Sequence, residues 1–209
     1  MMTGRGRARL GGADPANTRR QASPVTDSIA EYETRIAHQR ADKDTRFRAS
    51  PHSPIPPSGR IAFEGLTYFP MDPAARFEGL RLSRPVEDLP TSFDIATSDG
   101  GFRRAQRLGA LRFAWNGQDR DLIAYDLGTA HGALFVPFLD ATSGSDTYGA
   151  GRYLDVEPEE DGTYTLDFNL AYHPFCAYSP DYSCPLTPAE NRLPERMEAG
   201  ERLPVADPR

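Results

Sequence analysis

Glycine and proline together take 37 of the 209 positions, spread through the chain so that residues 29–48 form a long stretch without either. Both residues interrupt regular elements, so a helical bundle is excluded and the chain is predicted to carry short strands joined by many turns. The exception is the uninterrupted stretch. Asp27 and Ser28 are good helix caps, and Ile29, Tyr32, Ile36 and Phe47 recur near helical spacing, which predicts one N-terminal helix of about 18–20 residues. Its opposite face, with Glu31, Arg35, Arg40, Asp42 and Lys43, reads as solvated. The run SPHSPIPPSG at 50–59 then stops it, because proline disfavours helical geometry in the residue before it, and Ile55 is expected to dock on the sheet.

From Ile61 the periodicity shortens to that of strands. Candidates lie at 66–69, 77–82 and 92–97, each ended by a proline- or glycine-bearing turn. The clearest element is a hairpin. Leu111, Phe113 and Trp115 alternate with polar or small residues before Asn116-Gly117, the dipeptide best suited to a type I′ turn, and 122–127 reads as the return strand, after a slightly longer loop should pairing begin late. Residues 133–138 are apolar throughout and read as a buried strand, and 152–156 and 163–169 follow, bracketing the acidic turn EPEEDG. Past Tyr172 the chain becomes irregular and proline-rich. The predicted fold class is therefore mainly β (α+β): an antiparallel rolled sheet or sandwich with one N-terminal helix and a proline-rich C-terminal coil. At 38% hydrophobic and 26% charged residues the composition suits a globular protein with a real core, and the length suits one domain, placed at 27–203 with a flexible tail at 204–209.

Charge is uneven. Five arginines against Asp14 give residues 1–26 a charge of +4, so that the rest carries −10 of the total of −6. The acidic body argues against a nucleic-acid partner. The basic tail lacks aromatic interleaving, an amphipathic period and the apolar core of a signal peptide, and is expected to be a disordered extension, or an artefact of an upstream start. No stretch approaches the roughly 20 apolar residues of a membrane span, and a cytoplasmic location is expected. Lys43 is the sole lysine among 24 basic residues, a bias that fits a GC-rich or salt-adapted genome.

Functional-group variety is densest between Phe138 and Arg192. In FLDATSGSDTYGAGRYLD a strand ends at Asp140, and Thr142, Ser143, Ser145, Asp146, Thr147 and Tyr148 follow among Gly144, Gly149 and Gly151 before Arg152. Such a loop can hold an anion, with Arg152 as planar partner for a carboxylate or phosphate; the competing reading is a tight β-loop in which Asp140 caps backbone N–H groups and Arg152 pairs with an acidic neighbour. On strand 163–169, alternation places Asp167 and Asn169 opposite Leu166 and Phe168. Tyr172 and His173 lie just beyond it, and His173 is the best placed of four histidines for proton transfer. Cys176 and Cys184 are too far apart for a CxxC motif; they are a disulfide or a pair of buried thiols. With His173 they offer three ligand types, short of a zinc signature, and no metal or cofactor is expected. Walker, Rossmann, HExxH and nucleophile-elbow motifs are missing.

The runs FEGLTYFPMDPAARFE, FVPFLDATSGSDTYGAGRYLD and LDFNLAYHPFCAYSPDYSCPLTPAENRLPERMEAGE resemble the signature blocks of the domain-of-unknown-function family DUF1684, over about residues 29–202. The resemblance implies a shared architecture and no established activity. Residues that match the family's pattern include Asp140, Thr142, Thr147, Tyr148, Gly149, Gly151, Arg152, Asp167, Asn169, Tyr172, Cys176, Cys184, Glu190 and Asn191, whereas His173 stands where the family usually has Asn. Some relatives look exported, which would favour a disulfide there.

Two functions follow from these residues. In the first, the loop joins Arg76, Asn169 and Tyr172 to bind a small polar or anionic molecule: Arg76, Thr142, Tyr148, Gly149, Gly151, Arg152 and Asn169 hold it, and Asp140, Asp167 and Tyr172 supply acid–base chemistry if a reaction occurs. In the second, the same side chains form a buried network that fastens the C-terminal coil to the sheet, as a non-catalytic structural or interaction module. Carboxylates wholly consumed in buried pairs would favour the second.

Overall fold

A computed structural model describes residues 28–83, 89–128 and 132–204. The predicted basic tail at 1–26 and all but the first residue of the tail at 204–209 lie outside these. The protein is mostly β, with antiparallel sheets and one main helix, α1 (Ile29–Ala49). Ser28 and Glu31 close a capping box at its start. It ends where Ser50 donates to the Arg46 carbonyl, just before Pro51. A single further turn of helix, α2 (Pro57–Arg60), interrupts the coil that follows.

The strands are β1 (Thr67–Tyr68), β2 (Arg76–Leu80), β3 (Leu82–Ser83), β4 (Ser92–Ala96), β5 (Phe102–Trp115), β6 (Gln118–Asp126), β7 (Leu134–Phe138), β8 (Arg152–Val156), β9 (Tyr164–Asp167) and β10 (Glu201–Arg202). Six of them form one sheet in the order β3-β5-β6-β7-β8, with β4 beside β5, while β2 pairs with β9 and β1 with β10. Each pairing of these strands is antiparallel. The β5–β6 hairpin closes on Asn116 (φ 50°) and Gly117 (φ 72°), as the dipeptide predicts, and pairing begins at once with Trp115 opposite Gln118. β5 begins at Phe102, nine residues before Leu111, the first residue of the alternation noted in the sequence, because its first segment pairs with β4 and turns Arg103 and Arg104 to solvent, which masks the apolar alternation.

The main sheet is covered on both faces. Leu111, Phe113, Leu122, Ala124, Leu134, Val136, Phe138, Leu154 and Val156 face one core with Leu166, Phe168 and Met197, while Ala110, Ile123, Tyr125, Phe135 and Tyr153 face the other. Burial on both sides is why 134–138 reads as continuously apolar. β7 contains Pro137, which has no N–H to offer a neighbour. Here the wholly buried Asn191 replaces strand pairing: its Oδ1 accepts from Ile123 N–H at 2.8 Å, and its Nδ2 donates to the Ile123 carbonyl at 2.8 Å and the Pro137 carbonyl at 2.7 Å. Among the described residues no helix is long and apolar enough to cross a membrane.

Candidate functional site

The loop between β7 and β8 is tied inward. Asp140 Oδ1 accepts from Thr142 Oγ1 at 2.7 Å, Thr142 shares a bond with Thr147 at 2.9 Å, and Asp140 Oδ2 accepts from the Met197 N–H at 2.6 Å. Arg152, with no exposed surface, reaches Asp140 Oδ2 at 3.4 Å, the carbonyls of Met197 at 2.7 Å and Glu201 at 3.1 Å, and the carbonyl of Ala199. Among the described residues only its Nε lacks a partner. Burial pushes the Arg152 pKa down to about 10, against the opposing pull of Asp140 and Glu201. Gly151, at φ +99°, is needed for packing, since a Cβ there would stand 2.5 Å from the Phe138 carbonyl oxygen. Gly149 is exposed, and Tyr148 turns its backbone N–H to His173 Nε2 at 3.3 Å. Arg152, expected to hold an anion, and Asp140, expected to supply acid–base chemistry, thus face each other and the backbone of 197–201.

A second cluster joins α1 to β9. Tyr32 donates to both Asp167 oxygens, at 2.8 and 2.9 Å, while Asn169 donates to the Tyr32 hydroxyl at 2.9 Å and to the Asp72 carbonyl at 2.7 Å. Burial, then the Asp167 charge, raises the Tyr32 pKa far above the usual phenol range. Arg76 lies 3.9 Å from Asp167 but only 2.6 Å from Glu78. Asn169 and Asp167 do share a side, although the strand stops at Asp167 and Phe168–Leu170 is a 3-10 turn. Tyr32 was missed as a polar anchor; the signal was a tyrosine on the apolar stripe of α1, whose hydroxyl needs an acceptor once buried.

His173 is not poised for proton transfer near neutral pH. It is 2% exposed, and burial, with Arg152 and Lys43 nearby, lowers its pKa to about 3. Cys176 and Cys184 are free thiols, the Cys176 N–H donating to Cys184 Sγ at 3.3 Å, and burial pushes the Cys184 thiol up to about 11. Among the described residues no three His, Cys, Asp or Glu side chains are grouped to hold a metal.

The open site lies elsewhere, where Arg40 and Lys43 of the helix face expected to be solvated stand beside Phe47 of the apolar stripe. Arg40, Lys43 and Phe47 project from α1 at i, i+3 and i+7 towards residues 169–175, and with Tyr68 and Glu201 they line a cleft of about 550 Å³. Lys43 forms an ion pair with the buried Glu201, which also accepts from the His173 N–H at 2.7 Å and the Tyr178 hydroxyl at 2.8 Å. Tyr172 donates to Asp155 at 2.7 Å, and its ring lies 4.8 Å from Lys43 Nζ. Arg40 stacks on the Tyr68 ring at 4.3 Å, and its Nη1 touches only the Phe69 carbonyl, at 3.5 Å. Arg40 Nε and Nη2 and the Tyr68 hydroxyl are shielded from water and have no partner among the described residues. A second hollow, of about 580 Å³, lies along α1 and is also lined by Arg40 and Tyr68. Burial lowers the Arg40 pKa and raises that of Tyr68. Of the residues singled out in the sequence, Asn169 and Tyr172 line this cleft; Arg40 and Lys43 were passed over because charged residues on an outer helix face are usually solvated.

The family described as "Protein of unknown function (DUF1684)" matches residues 61–202. The chain belongs to this family. A solved structure similar to this chain is the solution NMR structure of the uncharacterized protein from gene locus rrnAC0354 of Haloarcula marismortui, 42% identical, with a TM-score of 0.64 over 85% of this chain and 97% of that one. No curated protein matches. The DUF1684 match contains Tyr68, Tyr172 and Glu201, whereas the helix that carries Arg40 and Lys43 precedes it.

Proposed function

We propose that this DUF1684 protein binds a small anionic molecule in the cleft between α1 and residues 169–175. The observation that carries this reading is the Arg40–Tyr68 pair: both residues line a cleft large enough for a metabolite, and three of their polar atoms have no partner among the described residues. An unpaired buried donor costs about 1–3 kcal/mol, which a bound acceptor would offset. Arginine is suited to this, since its planar fork matches a carboxylate or phosphate. Lys43 and Tyr172 border the ligand in this reading, and Asn169 closes the end nearest the helix start.

The Asp140–Arg152 cluster is proposed as structural, because its hydrogen-bonding capacity is almost entirely spent within the protein. On this reading Asp140 and Arg152 hold the 197–201 segment to the sheet, and Asp167 anchors α1 through Tyr32. The test is a thermal-shift titration with acetate, phosphate and larger organic anions on the wild type and Arg40→Leu, since a ligand that binds only the folded state raises its melting temperature. A rise in the wild type that Arg40→Leu abolishes is expected. If no anion raises the melting temperature, or Arg40→Leu responds as the wild type does, the reading fails.

A further inference from the structure

We propose that the cleft takes a monocarboxylate with an unbranched apolar chain, its head against Arg40 and Tyr68 and its chain directed along α1 towards Phe47 and Phe175. This rests on the cleft being a ligand site, and three observations name the class.

The first is a gradient along the cleft. Arg40 and Phe47 are seven residues apart on one helix face, or roughly 10 Å along the axis at the helical rise per residue. The opposite wall runs the same way: Asn169 is bonded to Tyr32 near the start of α1, and Phe175 packs edge-on to Phe47 with ring centroids 6.1 Å apart. The walls are thus polar where Arg40 and Asn169 stand and aromatic where Phe47 and Phe175 meet, with the Lys43–Glu201 pair between them and Lys43 Nζ 5.3 Å from the Phe47 ring. A ligand filling the cleft needs the same asymmetry.

The second is exposed apolar surface. Leu170 and Phe175, at 40% and 38% exposure, are two of the six exposed large hydrophobic side chains among the described residues, and both line this cleft. Apolar side chains exposed together beside polar groups mark surface that gains from being covered.

The third is charge. Arg40, Lys43 and Arg46 balance Asp42, Asp155 and Glu201 around the cleft, and Lys43 is already committed to Glu201. One guanidinium with open donors matches one negative charge. Arg46, the other cation of the cleft not tied to Glu201, is exposed and stands six residues further along α1, so a phosphate dianion at Arg40 would have one cation for two charges, a costly arrangement away from water. A carboxylate fits the fork of Arg40 with two parallel hydrogen bonds, after a turn of the guanidinium from its stack on Tyr68.

The full chain would be titrated with octanoate, acetate and octanol by calorimetry. Octanoate should bind on the order of 100-fold tighter than acetate if three or four methylenes leave water, and octanol should bind far more weakly than octanoate. Leu170→Asn should weaken octanoate about tenfold and leave acetate unchanged; Arg40→Leu should abolish both. If Arg40→Leu does not fold, Arg40→Lys serves, keeping the charge without the fork and weakening octanoate about tenfold. Equal, Arg40-dependent binding of acetate, phosphate and octanoate would overturn the chain assignment while leaving the anion site intact. Octanol binding as well as octanoate, or no binding that depends on Arg40, would overturn both.

Discussion

The β7–β8 loop and the α1 cleft are built from the same chemistry, an arginine near a carboxylate with hydroxyls around it, yet they end in opposite states. In the loop, Arg152 and Asp140 lose all exposure and find partners in each other, in Thr142 and in the backbone of 197–201. In the cleft, the carboxylate of Glu201 is satisfied by Lys43, Tyr178 and the His173 N–H, and Arg40 is left with open donors. Residue types are therefore a poor guide to which cluster is available to a ligand. What separates them is the supply of acceptors: a C-terminal segment passes Arg152 and presents three carbonyls to it, whereas among the described residues only the Phe69 carbonyl accepts from Arg40.

The comparison breaks most sharply at Arg152. Arg152→Ala leaves Asp140 charged, buried and without its cation, and should cost about 3–5 kcal/mol in urea unfolding, or abolish folding. The double replacement Arg152→Met with Asp140→Leu should recover part of that loss; a fully stable Arg152→Ala protein would show that the network is not structural. Next in size, Asn191→Ala strips partners from Ile123 and Pro137 and should cost on the order of 3 kcal/mol, read in the same way. A stability unchanged by that variant would mean that water or a shift of β6 takes over.

His173 sharpens the comparison through pH. Its folded pKa is depressed to about 3 against about 6.5 when unfolded. The folded protein therefore binds no proton there where the unfolded chain does, so this contribution is fully present above about pH 6.5 and is lost as pH falls towards 3. His173→Asn should flatten the acid side of the stability profile by up to one proton, about 1.4 kcal/mol per pH unit; an unchanged slope would place the pH dependence in other groups. At the cleft, Arg40→Leu should move stability by no more than about 1 kcal/mol, because the donors it removes are already unpaired. A loss as large as that of Arg152→Ala would make the two regions alike. Smallest of all, Arg112→Ala, at an exposed ion pair with Asp121, should leave the unfolding midpoint where it was.

Elements whose cause is local were legible in advance. The cap at Ser28, the prolines after residue 50, the Asn116-Gly117 turn and the apolar run of β7 each act within a few residues, and α1, the hairpin and the buried strand lie close to where those signals point. Less legible was the end of β9, where alternation continues through Asn169 but Asp167 caps a 3-10 turn by accepting from the Asn169 N–H. The candidate site was legible only in part. Asn169 and Tyr172 were singled out and do line the cleft, but Arg40 and Lys43 were assigned to a solvated face. Helical spacing says that Arg40, Lys43 and Phe47 share a side, and nothing in that spacing says that residues 169–175 lie against it.

By itself, then, the sequence determined the mainly β class, the single long helix and the irregular C-terminal coil, because backbone preference and hydrophobic period are properties of neighbouring residues. The tertiary structure decided which polar groups are spent and which are open. Asp140 meets Arg152 twelve residues away and Met197 fifty-seven away, and Lys43 meets Glu201 across 158 positions. Whether a buried arginine is a structural tie or a ligand anchor depends on acceptors that only the folded chain brings to it.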